Sequence, residues 1–167
     1  MAVREVLRFP HPALKAVADE VHDAAEIARV ADDLLDTMRA TTYTTGVAAT
    51  QLGELVRIVA VDVTGHKRTT ACHGEFVLVN PVLRSQSDES EVGREGCLSL
   101  PDLTANVRRP VAVVVEGLDA DGSSLTVETE GFEARCLLHE LDHLDGVLFL
   151  DRVDSLTSDV FRRKKYS

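Results

Sequence analysis

The sequence lacks any long apolar run. Its opening, Met-Ala-Val-Arg-Glu-Val, has no apolar core of a secretory signal, and nothing approaches the roughly 20 residues needed to cross a bilayer. Both absences point to the cytoplasm and away from a membrane. Cysteine is scarce: Cys72, Cys97 and Cys136 are odd in number and too few for a disulfide framework. In a reducing compartment each is a buried hydrophobe, a nucleophile or a metal ligand. Positive charge is the minority sign, with 18 Lys and Arg against 28 Asp and Glu and a net charge of −10. That balance argues against DNA or other nucleic acid as the main partner, because phosphate would be repelled. The one basic run is the tail, Arg162, Arg163, Lys164 and Lys165, which is either a solvated end or a transient contact for an acidic surface such as ribosomal RNA. No repeat, low-complexity tract or Pro/Gly/Ser linker divides the 167 residues. One catalytic-size domain over residues 1–167 is expected, with 44% hydrophobic and 28% charged residues in a globular balance.

What is present begins with an amphipathic helix over Asp23 to about Thr41. Ile27, Val30, Ala31, Leu34, Leu35 and Met38 recur at three- and four-residue steps, and Asp23 can cap the start. Val56 to Val63, Phe76 to Leu83 and Val111 to Gly117 are rich in β-branched residues and read as strands. Ser124 to Glu130 alternates as a strand with one wet face does, and Asp121-Gly122 before it is a hairpin signal. Phe132 to about Asp145 reads as a helix ended by Gly146, and Asp154 to Lys165 as a short polar helix. The order predicts an α+β fold of mainly antiparallel sheets packed around the late helix, with the amphipathic helix near the N-terminus.

The late helix contains His139-Glu140-Leu141-Asp142-His143. Histidines four apart on a helix lie one above the other, so both imidazoles can reach one metal ion. A glutamate beside the first can take a proton from water held there. A catalytic centre of this kind needs a third protein ligand. Downstream of His143 there is no further Glu or His, only aspartates, so the third ligand is sought upstream. Cys136 lies one turn before His139, yet its seven residues from His143 are a rise of roughly 10.5 Å, too far for one ion to bridge easily. It reads as a packing residue, and Cys72, among polar residues, as an incidental loop thiol. Cys97, in Glu95-Gly96-Cys97-Leu98-Ser99, suits a ligand arriving from a separate segment. Gly46-Val47-Ala48-Ala49-Thr50-Gln51 is either a helix end entering a buried turn or a stretch of close backbone approach with a neutral amide donor at Gln51.

These three segments, in this order, resemble the motifs of the peptide deformylase family. Val6-Leu7-Arg8-Phe9-Pro10, Asn80-Pro81 and His143-Leu144-Asp145-Gly146-Val147-Leu148-Phe149 are also similar, so the likeness covers nearly the whole chain. The resemblance implies a metal-dependent hydrolase that removes N-formyl groups from N-formylmethionyl peptides. Cys97, His139 and His143 would hold one divalent ion, Fe²⁺ natively with Zn²⁺ or Ni²⁺ as replacements, and Glu140 would act as general acid and base. Gln51 and the Leu98 N–H would serve the oxyanion, Gly46, Val47 and Gly96 would line the substrate, and Glu95 with Arg109 would form a supporting ion pair. Asp142 would orient a ligand histidine. A monomer or weak dimer is expected. The sequence departs from the family pattern at Thr44, where a glycine is usual, at Val47 in place of leucine, and at Leu138 in place of glutamine. A positive φ at Thr44 would cost about 1–3 kcal/mol. Two other functions fit the residues: deformylation of a non-ribosomal N-formyl compound, and metal binding without catalysis.

Overall fold

The computed structural model describes residues 2–164. The amphipathic segment near the N-terminus forms helix α1, Ala24–Ala40, and the Asp23 carboxylate accepts from the Glu26 N–H at 2.8 Å to cap it. Its buried stripe, Ile27, Val30, Ala31, Leu34 and Met38, packs on one face of a sheet through Ile58, Ala60, Val77 and Val79. That sheet has five strands: β1 (Gly46–Ala48), β2 (Ile58–Val61), β3 (Phe76–Gln86), β6 (Ala112–Leu118) and β7 (Ser124–Glu130), in the spatial order β1-β2-β3-β6-β7 and antiparallel throughout. Asp119 to Ser123 closes the β6–β7 hairpin, with the Asp119 N–H on the Ser123 carbonyl at 2.8 Å.

Side chains alternate across a strand. Val59, Val61, Leu78, Val113 and Val115 therefore face the opposite side, where they meet Ala134, Leu137, Leu138, Leu141 and Leu144 of helix α2, Gly131–Leu144. Gly146 follows α2 with a φ of 72°.

A second sheet of three antiparallel strands, in the order β4-β5-β8, covers the other side of α2: β4 is Ser90–Cys97, β5 is Leu100–Pro110 and β8 is Val160–Arg162. Its core, with Leu14, Leu100, Ala105, Val107, Leu148 and Phe149, closes around Cys97. The tail differs from expectation. Residues 160–162 are a strand on β5, not part of a polar helix from Asp154, because Leu103, Thr104 and Ala105 offer a free edge to their backbone. Lys165 lies outside the described residues.

Candidate active site

Helix α2 is buried almost all round, which a surface helix is not. Its apolar side meets the large sheet. Its other side carries Arg135, His139, Asp142 and His143, a stripe at helical spacing that faces the small sheet, all buried. Cys97 ends β4, and the two-residue turn Leu98-Ser99 leads straight into β5. A register shift at Gly96/Cys97 breaks the regular pairing there. The Cys97 sulfur thereby comes to 3.3 Å from His143 Nε2. One donor atom each from Cys97, His139 and His143 lies within 4.8 Å of the others.

An ion with bonds of about 2.1–2.3 Å holds tetrahedral ligands roughly 3.5 Å apart, so this group encloses a space of the right size. Its chemistry fits as well. Burial opposes ionisation of Cys97, but His143 and then His139 beside it bring the thiol well below its ordinary value. The pocket therefore favours the anionic sulfur, the form that binds metal. One thiolate and two imidazoles accept ferrous iron, zinc or nickel without choosing among them.

Glu140 sits one residue round the helix from His139 and lines the same cavity, of about 250 Å³. Burial pushes its carboxyl up to about 7, against the pull of the two imidazoles, and its Oε2 is buried with no hydrogen-bond partner among the described residues. Gly46 on β1 is its wall. A Cβ there would come within 2.8 Å of Glu140 Oε1 and 2.9 Å of its Cγ, so only glycine lets the strand and the carboxylate share this space. Val47, next on β1, is fully buried against α1. Gln51 lies on a 3₁₀ turn, Ala49–Leu52, and is not at a helix end, since α1 stops at Ala40. Its amide oxygen accepts from the Ala48 N–H at 3.0 Å, which aims the NH₂ at Ser99 Oγ (3.1 Å) and the Cys97 sulfur (3.5 Å). Gly96 and Leu98 line the cavity beside Cys97. The N-terminal segment ties these pieces together, with the Leu7 N–H on the Gln51 carbonyl and the Phe9 N–H on that of Ser99.

Behind the imidazoles lies a charge network. Arg109 grips Glu95 with two hydrogen bonds of 2.9 Å and reaches Asp142 at 2.7 Å. Glu95 also accepts from Arg135 at 2.8 Å and meets His139 Nδ1 at 2.8 Å. Burial alone would keep Glu95 protonated, but Arg109 and His139 hold it well below the usual carboxylate range. Asp142 is placed differently from expectation. It bonds Arg109 and Arg152, and no hydrogen bond joins it to either histidine among the described residues. The carboxylate on an imidazole is that of Glu95, because α2 turns Asp142 toward the end of the small sheet.

Arg135 and Ser99 were not singled out from the sequence. Arg135 could have been found, since it precedes His139 by one turn in the same buried stripe. Thr44 does not have a positive φ; its neighbour Tyr43 does, at 63°, so the left-handed turn falls one residue earlier than a glycine at position 44 implied. Cys136 is buried against Thr45 Oγ1 at 3.4 Å, where burial pushes its thiol up to about 12, and Cys72 is exposed.

Because Arg109 is buried and neutralises two carboxylates, Arg109→Met is expected to destabilise the fold by about 3–5 kcal/mol, the cost of stranding buried charge. Denaturant unfolding measures it; a loss under about 1 kcal/mol would show that Arg135 and Arg152 suffice.

The sequence profile of the family described as Polypeptide deformylase matches residues 3–159. Peptide deformylase 2 of Vibrio cholerae is 42% identical over 164 residues, covering 98% of this chain and 94% of that protein. A peptide deformylase of Parafrankia sp. is 44% identical over 162 residues, 94% of this chain and 82% of that one. Among solved structures, the peptide deformylase of Ehrlichia chaffeensis in complex with actinonin superposes with a TM-score of 0.86 at 31% identity, covering 94% and 92% of the two chains.

Proposed function

The chain belongs to the polypeptide deformylase family, and from that premise we propose that it hydrolyses the formyl amide of N-formylmethionyl peptides, releasing formate and a free amine. One observation carries the reading. Cys97, His139 and His143 gather their donor atoms within 4.8 Å, and the buried Glu140 oxygen, without a hydrogen-bond partner among the described residues, belongs to the same cavity.

Those three side chains would hold one divalent ion, ferrous iron natively with zinc or nickel as substitutes. Bound there, the ion would polarise the formyl carbonyl and acidify a water. Glu140 takes a proton from the attacking water, and the low-dielectric wall that raises its carboxyl suits it to return that proton to the leaving nitrogen. Atoms balance: water adds across the C–N bond, formate departs, and the amine keeps the proton. As negative charge develops on the carbonyl oxygen, the Gln51 amide and the Leu98 N–H donate to it. Gln51 is pre-aimed by Ala48, so little reorganisation is needed. β1 is the outer strand of its sheet, so Gly46 and Val47 offer an edge on which an extended peptide can pair. Glu95, held by Arg109 and Arg135, fixes the His139 ring through Nδ1 and leaves its other nitrogen for the ion.

We take the cytoplasm, where such substrates arise at ribosomes, as the place of action, and a monomer or weak dimer as the working form. No helix among the described residues is long and apolar enough to cross a membrane. Arg162 and Lys164, both exposed, would serve a transient contact with ribosomal RNA.

The test is formate release by iron-loaded enzyme, kept anaerobic, from N-formyl-Met-Ala-Ser and from simple N-formyl amines. Turnover of the peptide is expected to dominate. Activity confined to the non-peptide formyl amines would replace this reading with a biosynthetic one.

A further inference from the structure

We propose that three guanidiniums at the cavity mouth, those of Arg68, Arg94 and Arg163, select N-formyl substrates that carry a carboxylate a short distance from the formyl amide. This rests on the reaction proposed above and adds the chemical class of its substrate.

The strand register builds the mouth. Arg94 and Gly96 share one face of β4, Gly96 pairs with Thr104, and Thr104 pairs with Phe161 on β8. Glu95 and Cys97 alternate to the opposite face, toward α2. The Arg94 guanidinium lies over the Phe161 ring at 3.9 Å and donates to Asn106 Oδ1 and Thr104 Oγ1 at 3.1 and 3.3 Å. Arg68 lies over Phe132 at 4.7 Å and donates to the Arg94 carbonyl at 2.9 Å. Arg163, anchored by its N–H on the Asp102 carbonyl, lays its guanidinium on Gly96, where a Cβ would come within 2.0 Å of Nη2. The missing side chain at Gly96 is what admits this cation.

Every one of these contacts is with a neutral group. Arg29, Arg57, Arg109 and Arg152 each pair with a carboxylate at 2.7–3.0 Å. Among the described residues none of the three mouth arginines does. The acids lining the cavity do not fill that role: Glu95 is taken by Arg109 and Arg135, and no hydrogen bond or ion pair joins Glu140 to a mouth arginine among the described residues. Three positioned cations without a carboxylate partner among the described residues make a local attraction for an anion in a chain whose net charge is −10. The guanidinium fork matches a carboxylate. With about 250 Å³ between the mouth and Glu140, below the roughly 300 Å³ at which small-molecule pockets usually begin, that carboxylate belongs to the first residues of the substrate.

The carboxylate can be a C-terminus or a side chain, and three substrates separate them: N-formyl-Met-Ala, its C-terminal amide, and N-formyl-Met-Asp amide. With iron-loaded enzyme at low salt, KM for one or both acids is expected to lie about tenfold below that of the Ala amide. The kcat values should be similar, and the advantage should shrink as salt is added. Arg163→Gln, and Arg68→Gln with Arg94→Gln, should each bring the ratio toward one. Calorimetric binding of the products Met-Ala and Met-Ala amide reads the same preference without turnover. If no formate is released, the reaction reading fails and the product affinities still decide this one. Equal KM and equal affinity for acid and amide would overturn the proposal, and so would a preference that survives all three substitutions.

Discussion

Cys97→Ser and His143→Ala are each expected to lower bound metal by more than tenfold and to abolish formate release, while Cys72→Ser leaves both intact. Loss of a residue that merely orients a ligand typically costs about 10–100-fold in metal affinity, and removing the ligand itself should exceed that. The serine hydroxyl is a far poorer donor than the thiolate that His143 and His139 favour at Cys97. His143 is buried with Nε2 turned to that sulfur, so alanine leaves a hole where a donor stood. Cys72 is exposed, and its sulfur lies 3.8 Å from Thr64 Oγ1. Elemental analysis after anaerobic purification decides the matter. Metal retained by the Cys97 variant and lost by the Cys72 variant would overturn the ligand assignment.

Glu140→Gln should keep the metal and lower kcat by about 10²–10⁴, the usual worth of a positioned proton carrier. Glutamine preserves the shape packed against Gly46, so the loss reads chemistry and not a rearranged wall. A linkage effect accompanies it in the metal-free protein. The Glu140 carboxyl rises from an ordinary 4.5 to about 7 on folding, so between those values the folded state binds more protons than the unfolded. Stability from this group is therefore present below pH 4.5 and is lost as pH rises toward 7. Glutamine removes that dependence, so the variant should be at least as stable as the parent at pH 8 by thermal unfolding. Undiminished kcat would remove Glu140 from the mechanism.

Much of the fold was legible because its signals are local. The stripe of α1 recurs every three or four residues, the Asp23 cap and the Asp121-Gly122 turn involve near neighbours in the chain, and the structure has them there. The small sheet was not legible. β4 reads Ser-Glu-Val-Gly-Arg-Glu-Gly-Cys, polar and broken by glycines, and β5 contains Pro101. Neither has a strand's composition; they are strands because they pair with each other. β8 is the sharper case, since its helical reading gave way to an open edge on β5. Thr44 teaches a smaller lesson: the strained backbone sits at Tyr43, and residue type alone could not say so.

By itself the sequence determined that two imidazoles and a glutamate share one stretch of helix, because 3.6 residues per turn is set by the backbone alone. The family motifs named the sulfur. Only the tertiary structure decided how that sulfur, 46 residues from His143, reaches it, and which arginine neutralises which acid. Glu95 draws its partners from 14, 40 and 44 residues away. Such pairs depend on strand register and on the rotation of α2, quantities that belong to packing and leave no periodic trace along the chain.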